Sequence, residues 1–209
     1  MAARRILLVE GKDDEHVIKH IAGNRGVARF DEIKSHGGVS ALLESVPVRL
    51  RASEDGDTIG IVIDADTDIV ARWEGLRTRL TEIGYTAVPK RPSAEGTVVD
   101  PPEGELLPRV GIWIMPNNQT KGILEDFLRF LVPDGSKLFE HVTNSLATIP
   151  EGERRFREAD VSKAQIHTWL AWQEDPGRAM GTAISARYLD PNVPEVDVFV
   201  AWLERLFIL

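Results

Sequence analysis

Unbroken apolar character marks three short stretches of the chain: Arg5-Ile-Leu-Leu-Val9, Thr58-Ile-Gly-Ile-Val-Ile63 and Val110 to Met115. Runs of this length, rich in β-branched residues and without polar alternation, are the pattern of strands buried on both faces of a parallel sheet. Between them the apolar positions recur at helical spacing. Val17, Ile18, Ile21 and Ala22 follow the first strand, with Asp13, Asp14 and Glu15 in a first turn where the helix dipole favours acids. A further strand is expected over Ala28 to Ile33. After His36-Gly37-Gly38, a helix carrying Val39, Leu42, Leu43 and Val46 runs to Pro47 or slightly beyond. Ile69, Trp73, Leu76, Leu80 and Ile83 mark a third helix capped by Gly84, and Ile123, Leu124, Phe127, Leu128 and Leu131 mark a fourth.

Strand and helix thus alternate, which predicts an α/β fold with a mainly parallel, four-stranded sheet flanked by helices. Residues 89–108 hold five prolines and little periodicity, and read as a long surface excursion. Beyond Pro133 only helical stripes appear: Leu138 to Leu146, Val161 to Trp172 and Val196 to Leu206. The expected organisation is an α/β domain over residues 1–131 and a helical extension over 132–209 packed on it.

Composition narrows the classes. The 209 residues are 43% hydrophobic and 28% charged, a globular balance, and no stretch approaches the roughly 18 apolar residues of a spanning helix. The chain has no cysteine, which removes disulfides, thiolate nucleophiles and cysteine zinc sites and fits a reducing, cytoplasmic setting. Its formal net charge of -8 handicaps any nucleic-acid partner unless basic groups cluster locally or metal ions offset the acids.

The acids are placed where ligands bind. In an open parallel sheet, sites form at the C-terminal ends of strands, and there stand Glu10 after the first run and Asp64 and Asp66 after the second. Alternate residues of an extended chain point the same way, so Asp64 and Asp66 can present two oxygens to one hard cation, Mg²⁺ or Mn²⁺. Asp14, at the start of the first helix, is a further candidate ligand. Asp13 and Asp68 read more simply as helix caps. The spacing after Asp64 does not fit an EF-hand, because Ile69 stands where glycine is needed. Gly11-Lys12 is not a P-loop, and Asp68 stands where a phosphoaspartyl phosphatase has threonine. The loop Pro116 to Lys121 can offer amides and Lys121 to a phosphate, although Asn118 or Thr120 can equally cap the next helix. Lys12 is the second phosphate-binding candidate. Periodicity does not decide whether Glu125 or Asp126 faces the strand ends.

Other groups read as structural. His16 and His20 are i,i+4 on the first helix without a third ligand, a solvated face. Trp169, Trp172 and Trp202 lack interleaved basic residues and read as helical core. Arg154, Arg155 and Arg157 lie among Glu151, Glu153 and Glu158 and read as a salt-bridged helix face.

Leu7-Leu-Val-Glu-Gly-Lys-Asp-Asp14 together with Val62-Ile-Asp-Ala-Asp66 resembles the toprim domain of topoisomerases, bacterial primases, recombination proteins, small ribosomal-RNA maturases and OLD-type nucleases. Gly111 to Asn118, Gly122 to Leu128 and Ile166 to Gln173 further resemble a bacterial family of toprim-like proteins of unknown function. The resemblance implies that Glu10 is the general acid or base, and that Asp64 and Asp66 hold the ion. Asp14 matches the Glu-x-x-x-Asp pattern of the OLD-type branch, and Glu125 becomes the candidate on its helix. The implied activity is Mg²⁺-dependent phosphoryl transfer, phosphodiester hydrolysis on DNA or RNA. The alternative is a non-catalytic module that binds metal or nucleotide and acts through a protein partner. Neither Tyr85 nor Tyr188 stands in a strand-passing motif.

Overall fold

The computed structural model describes residues 3–27, 30–54 and 56–207. Five strands form one sheet: β1 (Arg5–Val9), β2 (Glu32–Ser35), β3 (Thr58–Asp64), β4 (Thr97–Val99) and β5 (Arg109–Met115), in the order β2-β1-β3-β5-β4. Only the β4–β5 pair is antiparallel. The expected sheet of four is therefore one strand short: β4 lies inside the proline-rich excursion, three residues long and at the edge. It escapes a pattern search because so short a strand has no period. The second strand also begins later than expected, at Glu32, and Ala28 and Arg29 lie outside the described residues.

The three central strands are apolar along their middle positions because both faces of the sheet are covered. On one face, α2 (Val39–Arg51) and α3 (Ile69–Ile83) enclose Leu8, Ile61, Ile63 and Ile112 together with Leu42, Trp73 and Leu76. Pro47 does not end α2. It removes the amide that would bond the Leu43 carbonyl, and Arg79 of α3 donates its Nε to that carbonyl at 3.1 Å. On the other face lie α1 (Lys12–Arg25), α4 (Leu124–Phe130) and the C-terminal helices.

These C-terminal helices are α5 (Lys137–Ala147), α6 (Val161–Ala171), α7 (Met180–Ser185) and α8 (Pro194–Phe207). The α7 helix, six residues long, has too few turns to show a stripe. All four share one continuous core with the sheet, in which Trp113 of β5 packs against Phe199 and Trp202 of α8 with ring centroids 5.1 and 5.7 Å apart. Gly60 and Gly111 lie opposite each other on β3 and β5, and a Cβ on Gly111 would stand 2.4 Å from Leu206. Two glycines thus hollow the sheet where α8 crosses it. The tryptophans read as core are so for Trp169 and Trp202, whereas Trp172 is 44% exposed and stacks near His141. Among the described residues, no helix is long and apolar enough to cross a membrane.

Candidate active site

The parallel register places Val9 beside Val62, so Glu10 and Asp64 leave β1 and β3 at the same edge. The Asp64 amide donates to Glu10 Oε1 at 2.7 Å, which fixes the glutamate across the strand ends. Asp14 enters from the first turn of α1. Its Oδ2 accepts from the Gly11 amide at 3.0 Å and closes the turn between β1 and the helix, while its Oδ1 is buried without a hydrogen-bond partner. Asp64 Oδ1 is buried and unpartnered in the same way. Glu125 comes from α4 and is 4% exposed. Glu10, Asp14, Asp64 and Glu125 line one open pocket of about 290 Å³, together with Gly37 and Gly38 ahead of α2 and Lys163 of α6.

The electrostatics follow from burial of like charges. Burial, opposed by the bond from the Asp64 amide and helped by Asp14, pushes Glu10 up to about 7. Burial and Glu125 push Asp14 up to about 6 against the Gly11 amide. Asp64 is raised well above the ordinary carboxylate range by burial and by Asp14, Glu10, Glu125 and Asp66. Glu125 differs. Burial would raise it, but His167 and Lys163 outweigh burial and hold it below its ordinary value; Lys163 Nζ and His167 Nε2 stand 3.4 and 3.7 Å from its Oε1.

Of the residues expected at the site, Glu10, Asp14, Asp64 and Glu125 come together and Asp66 does not. Alternation would require an extended chain past Asp64, but β3 ends there. Asp66 has a φ of 53°, and its backbone pairs with Gly122 through two 2.9 Å bonds. Its exposed carboxylate forms an ion pair with Arg72 and lines a separate, larger cleft. Lys121 lines that same cleft, not the acidic pocket. Lys12 does line the acidic pocket, yet its ammonium bonds Glu15 at 2.8 Å and, with Lys19, holds that carboxyl down to about 2. The choice between Glu125 and Asp126 is resolved as well, because Asp126 Oδ2 caps α4 by accepting from the Ile123 amide at 3.0 Å.

The Pro116–Lys121 loop already uses some of its amides internally. The α4 helix starts only at Leu124, and Asn117 Oδ1 already takes the amides of Gln119 and Thr120. Asn118 bonds back into β5 through Ile114, at 2.7 Å, and does not cap a helix. The arginine cluster keeps its ion pairs, Arg154 to Glu158 at 2.7 Å and Arg157 to Asp160 at 2.7 Å, but on a turn-rich segment leading into a 3₁₀ turn, not on an α-helix face. Asp68 caps α3, accepting from Val70 and Ala71 as its position implied.

Lys163, His167 and Arg72 were not found from sequence. Lys163 and His167 are i,i+4 on α6, a visible spacing, but nothing local indicates that this helix faces a strand end some hundred residues earlier in the chain.

Hard carboxylate oxygens, two of them buried and unpartnered, suit a divalent cation such as Mg²⁺ or Mn²⁺. As the side chains stand among the described residues, no three histidine or acidic groups are drawn close enough to close on one ion. Three of the four acids are held together in a state whose repulsion favours protons or a cation.

The chain matches the family described as "Protein of unknown function (DUF3226)" over residues 4–208 and belongs to it. No curated protein and no solved structure matches the chain.

Proposed function

We propose that this protein is a divalent-metal-dependent phosphoryl-transfer enzyme that hydrolyses phosphodiesters of DNA or RNA, in line with its toprim-like motifs. One observation carries the reading: Glu10, Asp14 and Asp64 converge at the C-terminal edge of the sheet with two buried carboxylate oxygens left without partners. Leaving buried carboxylate oxygens without partners is costly.

In this reading Asp14, Asp64 and Glu125 hold Mg²⁺ or Mn²⁺, which when bound neutralises charge on a phosphodiester oxygen. Glu10, raised to about 7, is matched to accept or donate a proton near neutral pH. The Asp64 amide keeps its carboxyl oriented across the pocket. Lys163 supplies a half-exposed cation at the pocket wall. A second reading, a non-catalytic module that binds metal or nucleotide and acts through a protein partner, draws on the Arg72–Asp66 pair, which withdraws one of the two strand-end aspartates.

The test is cleavage of single- and double-stranded DNA and RNA with Mg²⁺ or Mn²⁺ at low salt, beside calorimetric titration of the metal. Asp64→Asn should weaken metal binding. Glu10→Gln should keep most of it and cut cleavage about 10²-fold or more. Metal binding without cleavage of any of the four substrates moves the protein to the module reading, and unchanged metal affinity in Asp64→Asn removes the site.

A further inference from the structure

The larger cleft beside the acidic pocket, about 800 Å³ in volume, has no part in the chemistry above. Three chain segments each serve both recesses. Asp64 lines the acidic pocket and Asp66 the cleft; Leu124 and Glu125 line the one, Gly122 and Ile123 the other; Lys163 of α6 faces the acids while Val161 and Ser162 line the cleft. The two recesses are therefore neighbours, walled by the same three segments.

The two recesses differ in charge. In the cleft every lining acid has a basic partner: Asp126 has Arg129 at 3.7 Å, Asp160 has Arg157 at 2.7 Å, Glu158 has Arg154 at 2.7 Å, and Asp66 has Arg72. Lys121 has no carboxylate partner among the described residues, and it is exposed. A polyanion repelled by the molecule as a whole meets here a wall whose acids are neutralised, with one cation to spare. Ile123, Ala159 and Val161 add apolar surface to the same wall.

We infer that this cleft receives unpaired nucleotides of a single strand and delivers the adjoining phosphodiester to the acidic pocket. The inference rests on the phosphodiester reading for its second half only. The volume lies in the range of small-ligand sites, about 300–1,000 Å³, and the site is concave. Duplex readers push a helix or ribbon outward into a groove, whereas unpaired bases can be splayed into a recess. No aromatic ring lines the cleft, so bases gain no stacking platform and sequence preference should be weak.

The experiment measures fluorescence anisotropy at low salt with a labelled oligonucleotide of about eight nucleotides, the same sequence as duplex, and a labelled mononucleotide. Mg²⁺ is present throughout. The single strand should bind at least tenfold more tightly than either competitor. Ala159→Trp, at an exposed position lining the cleft, should lower that affinity tenfold or more without changing metal binding; Lys121→Glu should lower it several-fold and flatten its salt dependence. If Ala159→Trp unfolds, Lys121→Glu alone decides. Duplex bound as tightly as single strand, a mononucleotide bound as tightly as the strand, or affinity indifferent to both variants overturns the inference. Strand binding blocked by Ala159→Trp with no cleavage upholds the cleft and removes the hydrolase. Cleavage of duplex untouched by Ala159→Trp does the reverse.

Discussion

Two aspartates flank β3, and both are largely buried, yet they sit in opposite states. Asp57, at the N-terminal end, is 1% exposed and fully satisfied: it accepts from the Arg4 amide at 2.8 Å, from the Arg4 guanidinium at 2.8 Å and from the Glu54 amide at 3.1 Å. Burial alone would raise its pKa, and these donors, Arg4 first, bring it below the ordinary value instead. Asp64, seven residues on by sequence, keeps Oδ1 without a partner and is raised by burial and by three neighbouring carboxylates besides Asp66. Burial of a carboxylate is thus no sign of function by itself. What separates the latch from the site is whether the fold supplies the donors.

The largest effect that can break this comparison is on stability. Asp57→Ala removes a charge-assisted latch between the start of β1 and the start of β3, leaving Arg4, which is half exposed, to water. We expect a loss of about 2–3 kcal/mol, or about 4–12 °C in melting temperature for a chain of this size. Asp64→Asn should leave the melting temperature of the metal-free protein unchanged or raise it, because it relieves repulsion. Thermal denaturation of the two variants side by side checks this, and equal destabilisation would mean that Asp64 is a structural group like Asp57.

Sequence pattern exposes one end of this comparison more readily than the other. The strands β1, β3 and β5 are legible because a strand covered on both faces has no polar position to blur it, and the acids that follow them are legible because ligand sites form there. Asp57 offers no such signal: it precedes a strand, as turn acids commonly do, and its partner is 53 positions away. Asp66 misleads for a local reason, since a left-handed residue ends the alternation that its spacing from Asp64 implies. The short β4 and α7 lack the length to display a period. Lys163 and His167 reach the site through packing of α6 on α4, which no single stretch of sequence encodes.

A second, smaller effect sharpens the comparison through pH. Glu10 and Asp14 bind protons more tightly folded than unfolded, with values near 7 and 6 against ordinary carboxyls, so folding stability falls as pH rises from about 4.5 through 7. The depressed carboxyls of Asp57, Glu15 and Glu125 give the opposite slope, but their contribution is complete once they are ionised, above about pH 5. The melting temperature of the metal-free protein should therefore decline by a few degrees between pH 5 and 7.5. Glu10→Gln should flatten that decline, and Mg²⁺ should restore stability at pH 7.5 by mass action. A flat profile in the parent protein would show that the pocket is better solvated than its burial implies.

The smallest effect divides the acidic pocket itself, where Glu125 behaves like Asp57 and not like its neighbours. Its folded pKa is depressed, so its contribution to stability is present above the unfolded value, near 4.5, and is lost as pH falls through the folded one. Lys163 is one of two groups responsible, but at 54% exposure its ammonium is well screened, and a pair of this kind is worth no more than about 1 kcal/mol. Lys163→Met should accordingly lower the melting temperature by about 2–4 °C at pH 7 and low salt. The loss should shrink in high salt and vanish once pH falls below the depressed folded value of Glu125, where that carboxyl is protonated in both proteins. It should also add to the loss from Asp57→Ala, since the two pairs lie at opposite ends of the sheet and share no partner. Lys163→Met as stable as the parent at pH 7 would leave His167 alone to hold Glu125 below its ordinary value.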